Sequence, residues 1–361
     1  MRSLFTLAPL ATLAACAAVV VPDKYTSEQD PAHDARAFFV ARGMNADLAA
    51  AEEQARGAVS TKITSTIKTH FTSLVSELSA DGVTHDKQEL LSSVESSSQF
   101  GHAELIDVVG RFHDTSQNVW YVLAALEKSK AQATLEDELR APLLSFDTAY
   151  AAAADAYAQT RFRNFFTRKK EVQDKGAKAI GALVQIAAVA GKPRDERQAK
   201  LVARMEEISQ DAVALKDRTQ VIILTHAQTP MPGVDGSVLE EVVSQAMATS
   251  GIRVSTDKAP PETTAACPSP LGARKNVALA YVDLDTQAAP SDFGSGMFTA
   301  RTQAHVTILY AATCELLADF VVNKQETKEV MPSAEKAARK AVLKARDLVK
   351  ERLAKSLNEI F

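Results

Sequence analysis

The sequence predicts an α+β protein in which two small sheet-and-helix domains are joined by a helical, coiled-coil-like section. Short segments with alternating or continuous apolar residues lie toward both ends of the chain, and such segments are typical of strands. Between them, residues 130–219 are charged and rich in alanine, with a helical period. The 361 residues, of which 46% are hydrophobic, are enough for one to three domains with packed cores.

The beginning of the chain has the layout of an export signal. Arg2 provides a positive charge, an apolar run covers residues 4–13, and no acidic residue precedes Asp23. The apolar run is too short to remain in a bilayer as a stable anchor. We therefore expect residues 1–15 to be a signal peptide and residues 16–31 to be a lipidated N-terminus and tether.

A cysteine follows this signal at the predicted cleavage site. The order Leu13-Ala14-Ala15-Cys16 resembles the lipobox of bacterial lipoproteins, in which a hydrophobic residue and two small residues precede the cysteine. The resemblance implies cleavage before Cys16 and acyl chains, palmitate among them, on its sulfur. Each buried methylene contributes about 0.8 kcal/mol, so several acyl chains hold a protein firmly on a membrane. An ordinary secretory signal with an incidental cysteine is the alternative.

The residue after the cysteine indicates which membrane holds the protein. Ala17 stands where the enterobacterial sorting pattern has Asp in lipoproteins that stay in the inner membrane. The resemblance therefore implies a lipid-anchored protein of the outer membrane, on its periplasmic or surface face.

Residues 32–129 are predicted to form the first α/β domain. The prediction rests on apolar periodicity and on segments rich in Thr, Ile and Val. In chain order, we expect a helix over 32–58, a strand over 60–77, a helix over 86–99 and a hairpin with strands over 104–113 and 118–126. The second hairpin strand is apolar on both faces, which predicts a central place in its sheet.

The same region resembles a known family. Gly43 precedes a predicted helix with Ala51, Ala55 and Ala58, and a predicted strand over residues 63–75 comes next. A strand that ends near residues 111–114 and an apolar segment at 120–128 follow later. This order resembles the LPP-twenty-type surface lipoproteins, which include flagellar outer-membrane assembly lipoproteins, over about residues 33–130. The family pattern contains no catalytic residues, so none are carried over. The resemblance implies a surface lipoprotein and assigns no defined activity.

Residues 130–219 are predicted to contain two or three helices. Breaks are expected at Pro142 and at Gly191-Lys192-Pro193. Phe162, Phe165 and Phe166 lie among several arginines and lysines. We consider two interpretations of these rings, a basic aromatic patch that contacts phospholipid or a partner, and aromatic side chains that pack inward while the cations face water.

Residues 220–361 are predicted to form a second α/β domain. A strand, a helix ending at Gly251 and a second strand indicate a crossover unit. Further strands are expected over 277–284, 297–309 and 315–322, followed by a helix over 332–360. This order resembles, in architecture alone, the periplasmic domains of the curli secretion lipoprotein and of penicillin-binding-protein activators.

Two cysteines remain after Cys16. In an oxidising compartment, Cys267 and Cys314 are a candidate disulfide. The closed loop would contribute roughly 4 kcal/mol in the chain-entropy model. Two separate buried thiols are the alternative.

No motif in the sequence indicates catalysis, a cofactor or a metal. The seven histidines are scattered without the spacing of zinc ligands, and there is no phosphate-binding loop or nucleophile elbow. We interpret His113-Asp114 as a strand end, Gly294-Ser295-Gly296 as a hairpin turn, and Asp283 and Asp285 with the nearby Asp292 as a solvated strand edge. The net charge of −4 is not that of a nucleic-acid-binding protein.

These patterns predict a non-enzymatic, lipid-anchored envelope protein that acts as a scaffold or assembly factor. The expected partners are the membrane, other envelope proteins and a second copy of the chain. The alternatives are an envelope hydrolase whose active site is assembled from distant residues, and a periplasmic ligand-binding module.

Overall fold

A computed structural model describes residues 20–27, 30–79, 85–227, 236–255, 276–292 and 296–360. These residues form two compact units. The first contains the described residues up to Arg140 together with Ile180–Gln198, and the second contains Ala141–Ala179 and the described residues from Ala199 onward. Helices and strands are both abundant, and the predicted α+β class is confirmed.

The first unit is built on a three-stranded antiparallel sheet with the order β1-β3-β2. Its elements are α1 (Asp23–Ser27), β1 (Phe38–Asn45), α2 (Leu48–Ser79), α3 (His85–Ser97), a short 3-10 helix (Ala103–Leu105), β2 (Asp107–Asp114) and β3 (Val119–Glu127). The helix predicted near residue 86 and the hairpin are confirmed. The doubly apolar strand β3 lies at the centre of its sheet, as its sequence predicts.

Helix α2 covers one face of this sheet at very close range. A Cβ atom on Gly43 of β1 would lie 2.1 Å from the backbone oxygen of Ala51 and 2.5 Å from the backbone nitrogen of Ala55. Ala51 and Ala55 are themselves fully buried. Gly43, Ala51 and Ala55 of the family-like pattern are therefore residues that let the helix backbone cross the strand without a clash.

Two predictions for this region are wrong. The segment Phe38–Asn45, expected in a helix, is strand β1, and residues 60–77, expected as a strand, belong to α2. Ile63 and Ile67 extend the buried stripe of α2, so packing outweighs their strand propensity. The hydroxyl of Thr66 donates to the carbonyl of Lys62, four residues earlier, at 2.9 Å. Such bonds satisfy exposed threonines within a helix.

The helical section consists of α4 (Lys128–Ala158), α5 (Phe162–Ala190) and α6 (Glu196–Arg218). The break predicted at Gly191 is confirmed, and this residue has a positive φ of 64°. The break predicted at Pro142 is wrong, because α4 continues through it. A proline removes one helical hydrogen bond, and the buried Leu139 and Phe146 hold the helix on either side of it. The chain instead turns at Thr160, where φ is 56°.

The second unit contains a six-stranded mixed sheet with the order β5-β4-β6-β7-β8, and β9 also pairs with β7. Its remaining elements are β4 (Gln220–Ala227), α7 (Ser237–Thr249), β5 (Arg253–Val254), β6 (Val277–Pro290), β7 (Phe298–Tyr310), β8 (Glu315–Val322), β9 (Glu329–Met331) and α8 (Ala334–Ile360). Strands β4 and β5 are parallel, which confirms the predicted crossover. The strands expected after residue 276 and the final helix are also confirmed.

Candidate functional site

The N-terminal segment, residues 20–27, covers the face of the first sheet that is opposite α2. Tyr25 is only 4% exposed and belongs to a core cluster with Val40, Leu123 and Ala125. Val21 also packs against this cluster. The apolar residues on both faces of β3 are thus explained, since α2 covers one face and the N-terminal segment covers the other.

The sheet is shaped to receive the Tyr25 ring. This ring stacks on Phe112 with a centroid distance of 5.7 Å. A Cβ atom on Gly110 would lie 2.9 Å from the Tyr25 hydroxyl oxygen. Gly110 also follows a break in register between β2 and β3. A glycine at a bulge therefore provides the space in which the hydroxyl end of Tyr25 lies.

A cation fixes the end of the segment. The Arg42 guanidinium, through Nη1, donates to the carbonyl oxygens of Tyr25, at 3.3 Å, and Thr26, at 2.8 Å. Both carbonyls lie in the last turn of α1, where helices leave carbonyl groups without intrahelical partners and where cations are favoured. The segment is thus held by a buried ring and by a charge-assisted hydrogen bond.

A compact turn leads from the segment to β1. Asp30 is 9% exposed and accepts hydrogen bonds from His33 Nδ1, at 2.9 Å, and from the Ala32 amide, at 3.2 Å. The hydrogen bond from His33 is the main reason why the pKa of the Asp30 carboxyl lies below its ordinary value. The His33 ring meets Phe38 edge-on at 4.9 Å. These contacts order the entry into the edge strand.

A cleft of about 930 Å³ opens beside this turn. Its charged lining residues are Asp23, Asp30, Asp34, Lys62 and Lys128. The Lys62 ammonium donates to the Val40 carbonyl at 2.7 Å, and the Lys128 ammonium donates to the Ala35 carbonyl at 2.8 Å. The cleft thus combines carboxylates with ammonium groups that bind backbone oxygens, so it does not present charge of a single sign.

Cys16, the predicted lipidation site, lies outside the described residues, and so does Cys267, one cysteine of the candidate disulfide. Cys314 is disulfide-bonded, so it is not a free thiol. It lies between β7 and β8 with a positive φ of 57°. Its pairing with Cys267 stays a prediction.

The three phenylalanines of α5 pack inward. Phe162, Phe165 and Phe166 are 0–1% exposed, and Phe162 stacks on Tyr310 at 5.3 Å. Both carboxylate oxygens of Glu315 accept hydrogen bonds from backbone amides in the first turn of α5, each at 2.9 Å. The basic aromatic patch is therefore wrong, and inward packing is the correct interpretation.

The remaining residues considered for chemistry take part in local contacts. The Asp285 carboxylate lies 2.6 Å from the Lys324 ammonium, and His113 stacks on Trp120 with a centroid distance of 4.3 Å. Asp114 accepts the Ser116 hydroxyl at 2.6 Å, which is the main cause of its lowered pKa.

Two further predictions concern a strand edge and a turn. Asp292 is exposed, as predicted. Asp283 pairs with His226 of β4 and with His305 of β7, so it lies on a strand with neighbours on both sides and the predicted strand edge is wrong there. Its side chain is solvated and lies 3.6 Å from His226 Nδ1. Gly296 has a positive φ of 88°, a conformation that favours glycine, and lies in the hairpin connection between the antiparallel strands β6 and β7. Its neighbours at 294–295 lie outside the described residues. Within the ranges that the structure describes, no three His, Cys, Asp or Glu side chains meet as a metal site.

No protein-family model matches the chain, and no curated protein matches its sequence. The LPP-twenty-type resemblance therefore stays a prediction. In the described part of the chain, none of the helices combines the length and the apolar content that a bilayer-spanning segment requires.

Three solved structures show low similarity. A secreted protein of Helicobacter pylori is 10% identical, covers 88% of this chain and 97% of its own, and has a TM-score of 0.31. A candidate neuraminyllactose-binding hemagglutinin homolog from Helicobacter pylori is 12% identical over 40% of this chain and 87% of its own, with a TM-score of 0.24. A candidate lipoprotein from Caulobacter crescentus CB15 is 14% identical over 41% and 88%, with a TM-score of 0.18. TM-scores this low carry no conclusion about function.

Sequence reasoning missed the docked N-terminal segment. Residues 16–31 are predicted to be a tether, yet Tyr25 belongs to a core cluster of the first unit and Val21 packs against that cluster. One signal is present in the sequence, because Gly110 lies in the interior of a predicted strand. A glycine inside a strand marks a bulge or a close approach.

Proposed function

We propose that the protein is a non-enzymatic lipoprotein of the bacterial envelope, anchored by acyl chains on Cys16, that acts as a scaffold or assembly factor at the outer membrane. The observation that supports this proposal most is the position of the cysteine. The lipobox-like residues 13–16 end only a few residues before the N-terminal segment that packs on the first sheet. Cys16 thus lies at the boundary between the signal-like leader and the folded body.

The contacts of the charged side chains support a structural role. Arg197 donates to both carboxylate oxygens of Glu136, each at 2.8 Å, and to the Asp195 carboxylate at 2.7–2.9 Å. Asp30 binds His33, and Asp285 binds Lys324. The Arg197–Glu136 and Lys324–Asp285 pairs connect separate parts of the chain, and the Asp30–His33 pair orders one turn. Such structural contacts fit a scaffold, which needs no nucleophile or general base.

Metabolic labelling with radioactive palmitate tests the anchor. Wild-type protein is expected to incorporate label, to fractionate with outer membranes, and to accumulate as an unprocessed precursor when the lipoprotein signal peptidase is inhibited with globomycin. Cys16→Ala is expected to lose the label and the outer-membrane fractionation, and globomycin is expected to make no difference to its processing. Cys314→Ser is expected to retain the label and serves as the thiol control. Unlabelled wild-type protein that remains soluble after processing would refute the proposal.

The scaffold role is tested by capture of partners. Reversible cross-linking in intact cells, followed by purification in detergent, is expected to recover other envelope proteins with the wild type and fewer with Cys16→Ala. Labelling of the purified protein by a fluorophosphonate probe, or clearing of peptidoglycan in a zymogram, would contradict the non-enzymatic role and favour a hydrolase.

A further inference from the structure

We infer that the first unit lies directly against the lipid surface, with the sheet face that carries residues 20–27 turned toward the headgroups. This inference rests on the proposed lipid anchor and adds its geometry. The partner of this face is the membrane itself. Three features of the chain support this orientation: the short length between Cys16 and the sheet, the contacts that fix the segment, and the helix that covers the opposite face.

The length of free chain sets the distance. Val21 already packs on the core cluster beneath the segment, and it lies five positions after Cys16. A fully extended chain spans at most about 3.6 Å per residue, so five residues span at most about 18 Å. A lipidated Cys16 at the membrane surface therefore keeps this sheet within about 18 Å of the headgroups, which is less than the width of a small domain.

The contacts of Tyr25 and Arg42 prevent the segment from lengthening this tether. Tyr25 is 4% exposed, its ring stacks on Phe112, and Gly110 leaves space for its hydroxyl. Arg42 binds the carbonyl oxygens of Tyr25 and Thr26. Release of the segment would expose the Tyr25 ring to water, which opposes release because burial of a large apolar side chain is favourable. The segment therefore stays docked.

Helix α2, which covers the opposite face of the sheet, determines which face the tether holds toward the membrane. The opposite face is buried under α2, a helix of 32 residues, which with its side chains is about 10 Å thick. A chain that starts at Val21 would have to pass around the sheet edge and over α2 to place the membrane on that side. Five residues are too short for this path, so the face with the N-terminal segment is the one held near the bilayer.

The tether, and not charge attraction, provides this contact. The cleft beside the segment combines Asp23, Asp30 and Asp34 with Lys62 and Lys128. Mixed charges give little net attraction to anionic lipid. The geometry is therefore expected to be the same on neutral and on anionic vesicles and to be insensitive to salt.

Energy transfer from the chain's single tryptophan measures the distance. Trp120 lies in β3 of the first unit and serves as the donor to dansyl-phosphatidylethanolamine in phosphatidylcholine vesicles that carry the purified, lipidated protein. Wild type is expected to show strong transfer. Insertion of twenty Gly-Ser residues between Ala17 and Ala18 adds a root-mean-square reach of about 25 Å and is expected to lower transfer about twofold or more. Equal transfer in both proteins would overturn the inference.

Substitutions of Tyr25 test the docking itself. Tyr25→Ala is expected to lower transfer, whereas Tyr25→Phe keeps the stacked ring and is expected to match wild type. In soluble protein that begins at Ala17, trypsin is expected to cut after Lys24 at least about tenfold faster in Tyr25→Ala, because about 1.4 kcal/mol of lost docking corresponds to a factor of ten. Equal cleavage rates would overturn the docking. Circular dichroism confirms that each variant is folded.

The two proposals fail in different ways. Wild type without palmitate label and without membrane association refutes the lipid anchor. If the wild type is labelled and membrane-bound, but the Gly-Ser insertion does not change energy transfer from Trp120, the lipid anchor is supported. The close contact between the sheet and the bilayer is then refuted.

Discussion

The crossing of α2 over β1 makes Gly43→Ala the most informative substitution in the first unit. The added Cβ would lie 2.1 Å from the Ala51 oxygen and 2.5 Å from the Ala55 nitrogen, whereas ordinary van der Waals contacts begin at 3.4 Å. Both contacted atoms belong to the helix backbone and cannot rotate away. The helix must therefore retreat from the sheet by more than an ångström.

This retreat has a cost that the structure allows us to estimate. Ala51, Ala55, Val59 and Ile63 are all fully buried on α2, so a gap opens along the whole contact. A gap of up to an ångström forfeits a quarter to a half of the dispersion energy. Overpacked cores lose about 1–3 kcal/mol, and a clash with backbone falls at the upper end, near 3 kcal/mol.

Urea denaturation monitored by Trp120 fluorescence measures this loss, because the tryptophan lies in the first unit. With a slope of about 2 kcal/mol per molar, the midpoint for Gly43→Ala is expected to fall by about 1.5 M. Gly57→Ala is the matched control, since a Cβ there meets nothing within 4 Å. It replaces a glycine within α2, the helix that crosses Gly43, and is expected to stabilise the protein by up to about 1 kcal/mol. Gly43→Ala with wild-type stability would refute the close crossing.

Two further predictions concern an ion-pair network and the core of the second unit. Arg197→Met is expected to destabilise the protein by about 1 kcal/mol at neutral pH, because it removes a network of half-exposed pairs with Glu136 and Asp195. Hydrogen bonds from Arg197 are the main cause that lowers the pKa values of both carboxyls from 4.5 and 3.8, so this contribution is complete above pH 4.5 and is lost as the pH falls below 3.8. Denaturation curves from pH 7 to pH 3 should converge with those of wild type, and a constant difference would contradict this. Phe166→Ala is expected to cost about 3–5 kcal/mol by thermal denaturation, while Leu144→Ala, at a position 69% exposed, is expected to be neutral. A loss of vesicle binding without a loss of stability in Phe166→Ala would instead restore the lipid-contacting patch.

The central strand of the first sheet could be predicted from sequence because its own residues indicate its place, without information from distant parts of the chain. Residues 119–126 are apolar on both faces, and such a strand is stable only with cover on each side. The helix–glycine–strand order before β5 is similarly local. In both cases neighbouring residues contain the information that decides the structure.

The long helix α2 could not be predicted in the same way. Its second half is rich in Thr and Ile, and local propensity favours a strand. The contacts that stabilise the helix are made with β1 and β3. For example, the Lys62 ammonium donates to the carbonyl of Val40 in β1. The docking of Tyr25 depends on Gly110 and Phe112, which lie far along the chain. Single-sequence patterns do not reveal such distant pairs.

Mass spectrometry of the mature N-terminus tests the central claim most directly. Protein purified from membranes in detergent and digested with trypsin should give an N-terminal peptide that begins at Cys16 and ends at Lys24, with the mass of attached acyl chains. A mature N-terminal peptide that begins elsewhere, or an unmodified Cys16, would contradict the lipid anchor and the membrane-facing orientation derived from it.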